Sequence, residues 1–400
     1  MKKWTTGIVV LGVLAGCGKS SPVLEFSVTN PLDTDRFSET VSISPDEFST
    51  LPGASDPERL FITDKASGDT LVTQLIDNDA NGTQDMLLFQ VDLKGGEHKK
   101  LVAAVAEKDF EMPETEQSVF SRFVPERTDD YAWENDRVAF RTFGPDAQRR
   151  IEENLPDGTL SSGIDAWLKR VSYPIINKWY KNNDEKKGAY HIDSGEGYDP
   201  YHVGSSRGVG GIGIWIKDSL YASKNFTTYK TIATGPLRTV FELEYAAWNA
   251  DSIRVKETKR ISLDLGSNLS RFESSFESSE SLPNITIGLM LHEKEGKVTA
   301  NKEEGWFGYW EPMDGSELGV GVVIAPDDIL EFKDHRVDYK DGSQLLIMAD
   351  AEAGKIVYYA GFGWKKSKQF TDAEAWNTYL KDFAARLAHP IEVKFTEAKK

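Results

Sequence analysis

Val255-Lys256-Glu257-Thr258-Lys259-Arg260-Ile261-Ser262-Leu263-Asp264-Leu265 carries the period-two alternation of a β-strand, and its length and regularity set the reading of the chain around it. Residues 237–245 and 285–291 flank it with strand-like runs of their own, and 138–143, 212–220, 319–324, 345–348 and 356–359 add more. So many strands with few interleaved helices predict a large antiparallel sandwich. Toward the N-terminus, shorter β-type runs at 24–28, 40–43, 60–62, 71–76, 87–91 and 101–105 alternate with Gly, Pro, Asn and Asp, which predicts a smaller β-sandwich. Two packing helices are expected. Ile164, Trp167, Leu168 and Val171 share a helical face before Pro174, while Trp376, Tyr379, Leu380, Phe383 and Leu387 form a stripe that opens on a Thr371-x-x-Glu374 capping box and stops at Pro390.

The first residues are of another kind. Lys2 and Lys3, an apolar run over 8–15 and the small-residue box Leu14-Ala15-Gly16-Cys17 read as a lipoprotein signal, with Cys17 the lipid-modified first residue of the mature chain. The apolar run falls short of the roughly 20 residues that span a bilayer, so the expected membrane attachment is the lipid anchor alone. The domain plan is a signal peptide over 1–16, a lipidated tether over 17–22, a small β-sandwich over 23–108, a linker over 109–129 and a β super-sandwich over 130–400. The expected location is the bacterial cell envelope, periplasmic or at the outer membrane. Cys17 is the one cysteine, which excludes a disulfide, a cysteine nucleophile and a thiolate metal site. A formal net charge of −17 argues against nucleic acid as a partner.

Chemistry-bearing residues gather in three places. Tyr190-His191-Ile192-Asp193-Ser194-Gly195-Glu196-Gly197-Tyr198-Asp199-Pro200-Tyr201-His202 leads into a glycine-rich run that holds Arg207, so base, acid and anion clamp lie within one stretch. No cofactor is required. A divalent cation is the alternative use of His191, Asp193, Glu196, Asp199 and His202, in a spacing that matches no established zinc pattern. The second group lies at 122–141, where Arg137 and Arg141 share a strand face; either a ligand carboxylate or Glu134 and Asp130 must neutralise them. The third is Trp306, Trp310, Glu311 and Trp364, joined by Trp133 at the domain entrance, where aromatic planes beside carboxylates suit sugar rings. His292 at a strand end is a lesser candidate.

Three motif matches are discounted. Gly204-Ser205-Ser206-Arg207-Gly208 has the spacing of a hydrolase elbow but no strand–turn–helix setting for Ser206 as a nucleophile. Gly208, Gly210 and Gly213 have dinucleotide spacing yet run on into a strand. Asp77 to Asp85 resembles a calcium loop with Leu88 where the bidentate Glu should stand, and an Asn-Gly hairpin turn explains it as well.

Residues 130–141, 191–197, 305–311 and 361–367 together resemble the lipoprotein family of the domain-of-unknown-function 4861 type, found with polysaccharide-degrading enzymes. The resemblance covers nearly the whole mature chain. It implies a galactose-mutarotase-like super-sandwich behind a smaller β-domain, and acidic polysaccharides as substrates. It supplies no settled catalytic residues. The chemistry of the residues then suggests a carbohydrate-active enzyme that eliminates water or a sugar across C4 and C5 of a uronic acid, as a dehydratase or lyase. Arg137, Arg141 and Arg207 are the candidates to neutralise the carboxylate, His191 or His202 to take the C5 proton, and Tyr201 to protonate the leaving oxygen. Mutarotation or epimerisation, a non-catalytic glycan-binding lipoprotein, and an esterase built on Ser206 are the alternatives.

Overall fold

The computed structural model describes residues 22–107, 110–116, 118–351 and 353–396, so the signal segment and Cys17 lie outside the described residues. The chain is mainly β, and its strand ladders are antiparallel. In the N-terminal body the four strands Glu392–Phe395, Val23–Thr29, His98–Val105 and Leu60–Asp64 form one sheet, in that order, and Arg36–Ile43, Met86–Leu93 and Thr73–Ile76 form a second. Phe26, Val28, Val41, Ile62, Leu87, Phe89 and Leu101 fill the space between them. The last strand of the chain therefore belongs to this body and not to the larger one, as the 130–400 division assumed. Its Phe395 pairs with Phe26 across the ladder, and their rings stack with centroids 5.4 Å apart.

The larger body holds a nine-stranded sheet, a five-stranded sheet packed on it and a second five-stranded sheet at one end. Ile253–Asp264 lies inside the nine-stranded sheet and alternates buried and open positions along its whole length. Two of its inward positions are Glu257 and Lys259, which pair with each other inside the core beneath the Tyr245 ring. The two sheets approach so closely at Gly210 that a Cβ there would stand 2.3 Å from the Ala360 Cβ, while the Tyr358 hydroxyl donates to the Gly210 carbonyl at 2.7 Å. The three glycines that imitate a dinucleotide fingerprint thus have separate causes: Gly210 meets the facing sheet, Gly208 takes φ +61 against the Ile164 carbonyl, and Gly213 lies against the Tyr221 carbonyl of the neighbouring strand.

Two local expectations change. Residues expected to begin a helix at Ile164 form the strand Asp165–Lys169, with all five residues buried. A strand covered on both faces reads as a continuous apolar run, and that run imitates a helical stripe. The expected linker contains the strand Phe120–Val124, which pairs with Asp130–Glu134 and is thus part of the end sheet.

Three helices pack on this frame: α1 (Pro145–Glu152), α2 (Ile176–Glu185) and α3 (Ala373–Ala388). The α3 stripe is as expected, although its cap is Asp372, whose carboxylate accepts from the Ala375 N–H, rather than Thr371. Trp376 and Leu380 of α3 lie on the outer face of the nine-stranded sheet. A Cβ at Gly319 would stand 2.6 Å from the Trp376 ring, so the absence of a side chain makes the seat for it.

Candidate functional site

The end sheet runs Gly197–Tyr198, Asp165–Lys169, Ala139–Thr142, Asp130–Glu134, Phe120–Val124. Its register sets Arg141 directly opposite Asp165, so the two side chains leave the sheet on the same face. Helix α2 covers that face by stacking Trp179 and Tyr180 on Trp167. The chain then turns back through residues 186–199 and brings Tyr190, His191 and Asp199 over the same surface.

Arg141 is consequently buried among three carboxylates. Its Nε lies 2.7 Å from Asp165, one Nη lies 2.8 Å from Asp199, and the other stands 3.6 Å from Asp130. One cation among three buried acids leaves the cage short of positive charge. Burial pushes the Asp130 carboxyl up to about 6, with Arg141 and Arg127 opposing it. Asp165 and Asp199 are raised as well, by burial first. Arg141 is thus neutralised by the protein itself and does not serve as a free clamp for a substrate carboxylate. Glu134 takes no part in this. It pairs with buried Lys169 at 2.8 Å and accepts from the backbone of Ile175 and Ile176 at the start of α2.

Beside the cage opens a cavity of about 430 Å³, lined among others by Arg127, Arg150, Lys187, Tyr180, Tyr190 and His191. Its centre is the adjacent pair Tyr190 and His191, whose rings meet edge to face with centroids 4.6 Å apart. The His191 Nδ1 lies 2.7 Å from the Asp199 backbone oxygen, and the imidazole is about half exposed. A carbonyl oxygen can only accept, so Nδ1 carries the proton there and Nε2 is left as the basic nitrogen of the ring. The Tyr190 oxygen accepts from Arg127 Nε at 3.2 Å and from Arg141 at 3.4 Å, which leaves its own O–H free to donate elsewhere. Arg150 and Lys187 are each tied to a carboxylate, Asp146 and Asp157 respectively. Arg127 has no carboxylate within ion-pair distance among the described residues; one Nη donates to the Thr128 hydroxyl, which leaves the other Nη for a ligand. Arg127 falls within the 122–141 group and Tyr190 opens the 190–202 stretch, but nothing local in the sequence shows that the fold turns both toward one cavity.

The other anticipated residues go elsewhere. Tyr201 is buried, its hydroxyl has no hydrogen-bond partner, and its ring sits edge-on to His292 at 4.5 Å. His292 has φ +37, and its Nδ1 lies 2.5 Å from Glu311 while its Nε2 lies 3.2 Å from the His202 carbonyl oxygen. His202 itself is on the rim, 3.2 Å from Asp341. Tyr201, His292 and Glu311 thus form a closed internal cluster apart from the His191 cavity. Arg207 lies in the sandwich core near Glu257, where burial lowers it to about 10, and it holds Ser162 at 2.8 Å. Arg137 lies in the bend before the strand Ala139–Thr142 rather than on it, bound through Nε to Asn268 at 2.7 Å, so it does not share a strand face with Arg141 as expected.

The expected sugar platforms are packing residues. Trp133 is fully buried and donates to Ser270. Trp306 and Trp310 face outward beneath α3, whereas Glu311, the next residue, turns inward to the row that includes Leu318 and Trp364. Trp364 is buried there. Ser206 is fully buried, donates to the Val203 carbonyl at 2.6 Å and is followed by a strand.

The proposed cation ligands are also separated: Asp193 holds Arg170, Glu196 holds Lys178, and Asp199 holds Arg141. Among the described residues, the one group of three acids close enough to share an ion is Asp77, Asp79 and Asp85. They occupy the hairpin between Thr73–Ile76 and Met86–Leu93, where Asp77 and Asp79 accept from the Asn81 and Gly82 backbone and Asp85 from Asn78.

Comparison with known proteins agrees with this architecture. The chain is 47% identical over 369 residues to an uncharacterized protein of Formosa agariphila, with 92% of each chain covered. In fold it is similar to a protein in the glycosyl hydrolase family 38 from Enterococcus faecalis, with a TM-score of 0.50, 10% identity and 94% of this chain covered. An alpha-mannosidase from Enterococcus faecalis V583 gives a TM-score of 0.48 at 9% identity over 94% of this chain. The chain spans about half the length of these two structures, 48% and 46%. The family model described as Domain of unknown function (DUF4861) matches residues 28–393, nearly all that is described, and the chain belongs to that family.

Proposed function

We propose that the protein is a carbohydrate-active enzyme that acts on uronic-acid-containing oligosaccharides by elimination, with the His191 cavity as its active site. The observation that carries the reading is the hydrogen bond from His191 Nδ1 to the Asp199 carbonyl, which leaves Nε2 as the basic nitrogen of a ring that meets Tyr190 edge to face in a cavity that Arg127 also lines. The fold it shares with a glycosyl hydrolase family 38 protein supports carbohydrate as the substrate class. A substrate carboxylate on Arg127 acidifies the C5 proton. His191 Nε2 takes that proton, the C5–H electron pair forms the C4–C5 double bond, the C4–O bond breaks, and Tyr190 protonates the departing oxygen. Base and acid stand side by side, so the proton and the leaving group depart from one face of the ring. Relative to the sequence expectation, Arg127 replaces Arg137, Arg141 and Arg207 as the clamp, and Tyr190 replaces Tyr201 as the acid. The reading includes a place at the cell envelope, held by acyl chains on Cys17, and the signal-like residues 1–17 support it.

The test is the appearance of the unsaturated-uronate absorbance with a panel of oligouronates, for the wild type, His191→Ala and Tyr190→Phe. A general acid or base contributes about 10²- to 10⁴-fold, so each variant is expected to lose rate on that scale while substrate affinity changes little. Unchanged turnover in His191→Ala refutes the site. Tight binding of the oligouronates by the wild type without any new absorbance would favour a non-catalytic glycan-binding lipoprotein.

A further inference from the structure

A second cavity, of about 480 Å³, lies between the N-terminal body and the nine-stranded sheet and shares no lining residue with the His191 cavity. Arg137, Arg238, Arg271 and Arg386 reach it from four separate segments. The lining also holds four carboxylates, Asp35, Glu39, Asp264 and Asp382, so what the cleft offers an anion depends on which guanidinium each acid reaches; Asp35 is held by Lys94. Two of the arginines are held by acids: Arg238 by both oxygens of Asp264, and Arg271 by Glu273 at 2.9 Å.

The other two are under-neutralised. Arg386 stands 3.7 Å from Glu39, and the same Glu39 also serves Arg36, at 3.5 Å. Arg36 is fully buried, and its Nε has no hydrogen-bond partner. Arg137 makes its Nε bond to Asn268 and has no carboxylate within ion-pair distance among the described residues. Its two terminal nitrogens are therefore available to a ligand, in the fork geometry that matches a carboxylate or sulfate.

Aromatic surface accompanies the charge. Phe37 is 60% exposed at the mouth, and Tyr359 and Tyr379 line the interior. Ring faces beside guanidinium forks suit a pyranose that bears an anionic substituent, and the volume lies within the range of about 300–1,000 Å³ common to small-ligand sites. None of the lining residues is a histidine, and the cavity lacks the base and acid pair of the other site.

We propose that this cleft is a second carbohydrate site, which binds an acidic oligosaccharide without transforming it. A ligand there bridges the two bodies, because Phe37 belongs to the N-terminal sandwich, Arg137 to the bend between the strands Asp130–Glu134 and Ala139–Thr142, and Arg386 to α3. Uronate and sulfated sugars offer the same anionic group to Arg137, and the experiment separates them.

Isothermal titration of the full chain with tetragalacturonate, a sulfated carrageenan tetrasaccharide and carboxyl-reduced tetragalacturonate tests the proposal. The wild type binds at least one acidic sugar and binds the reduced one more weakly; the acidic sugar that binds more tightly identifies the source of the anion. Arg137→Ala weakens that binding by about ten- to a hundredfold, as expected for loss of a charge-assisted pair. Phe37→Ala, at an exposed ring whose removal leaves the core intact, also weakens it. Arg127→Ala, which removes the carboxylate clamp of the His191 cavity and lies outside this cleft, leaves the binding here in place, which keeps this result independent of the elimination reading. Wild-type affinity in both Arg137→Ala and Phe37→Ala, equal affinity for acidic and reduced sugars, or loss of binding in Arg127→Ala overturns the proposal.

Discussion

Asp130→Asn isolates what the acid cage contributes to stability. Asp130 is fully buried, accepts from the Tyr180 hydroxyl at 3.1 Å and has its other oxygen unpaired. Burial raises it from 3.8 to about 6, against the pull of Arg141 and Arg127. A folded-state value above the unfolded one means that the fold holds this proton more tightly. The associated stability is fully present below about pH 4 and is lost as pH rises through about 6. Two pK units correspond to about 3 kcal/mol in all, and most of that change falls between pH 4.5 and 8. Asparagine occupies the same volume, keeps the acceptor for Tyr180 and cannot ionise. Urea unfolding, followed by fluorescence of buried Trp167 beside the Arg141 guanidinium, measures the two proteins at both pH values. The wild type should lose about 2 kcal/mol more than the variant over that interval. Equal losses in the two proteins would refute the argument that Asp130 is held partly neutral by burial.

Three further outcomes are expected, two from the structure and one from the sequence. Trp376→Ala empties a fully buried site that is hydrogen-bonded to the Val320 carbonyl, and should cost about 3–5 kcal/mol in thermal unfolding while turnover well below the melting point is kept; loss of turnover there would tie α3 to the active site. Ser206→Ala removes a buried hydroxyl that donates to Val203 and accepts from Gly208, so stability should fall by about 1–3 kcal/mol with activity retained; a folded but inactive protein would revive the esterase alternative. Cys17→Ser should leave the domains folded and release the protein from membranes in fractionation, and continued incorporation of labelled palmitate would sink the lipoprotein assignment.

Period-two alternation in residues such as 255–265, and the apolar stripe of α3, are local properties, so the mainly β architecture and that helix were legible in the sequence by itself. The resemblance of four short stretches to one family was legible for the same reason. Alternation fails where a strand is covered on both faces, as at Asp165–Lys169, because the apolar run then has no period to read. Sequence also places His191 among acids and phenols, but not in a cavity.

Only the tertiary structure decided which charges are spent. Arg141 and Arg207 look as available in the sequence as Arg127 and Arg137, yet the first is caged by Asp130, Asp165 and Asp199 and the second lies in the core near Glu257. Trp306 and Glu311 stand five residues apart and face opposite sides of one sheet, the first to pack under a helix and the second to hold His292. Side chains are assigned to cavity or core by long-range register and by what covers each face. The partners that make an arginine a clamp or a spent charge come from strands and loops distant in the chain, where no local pattern records them.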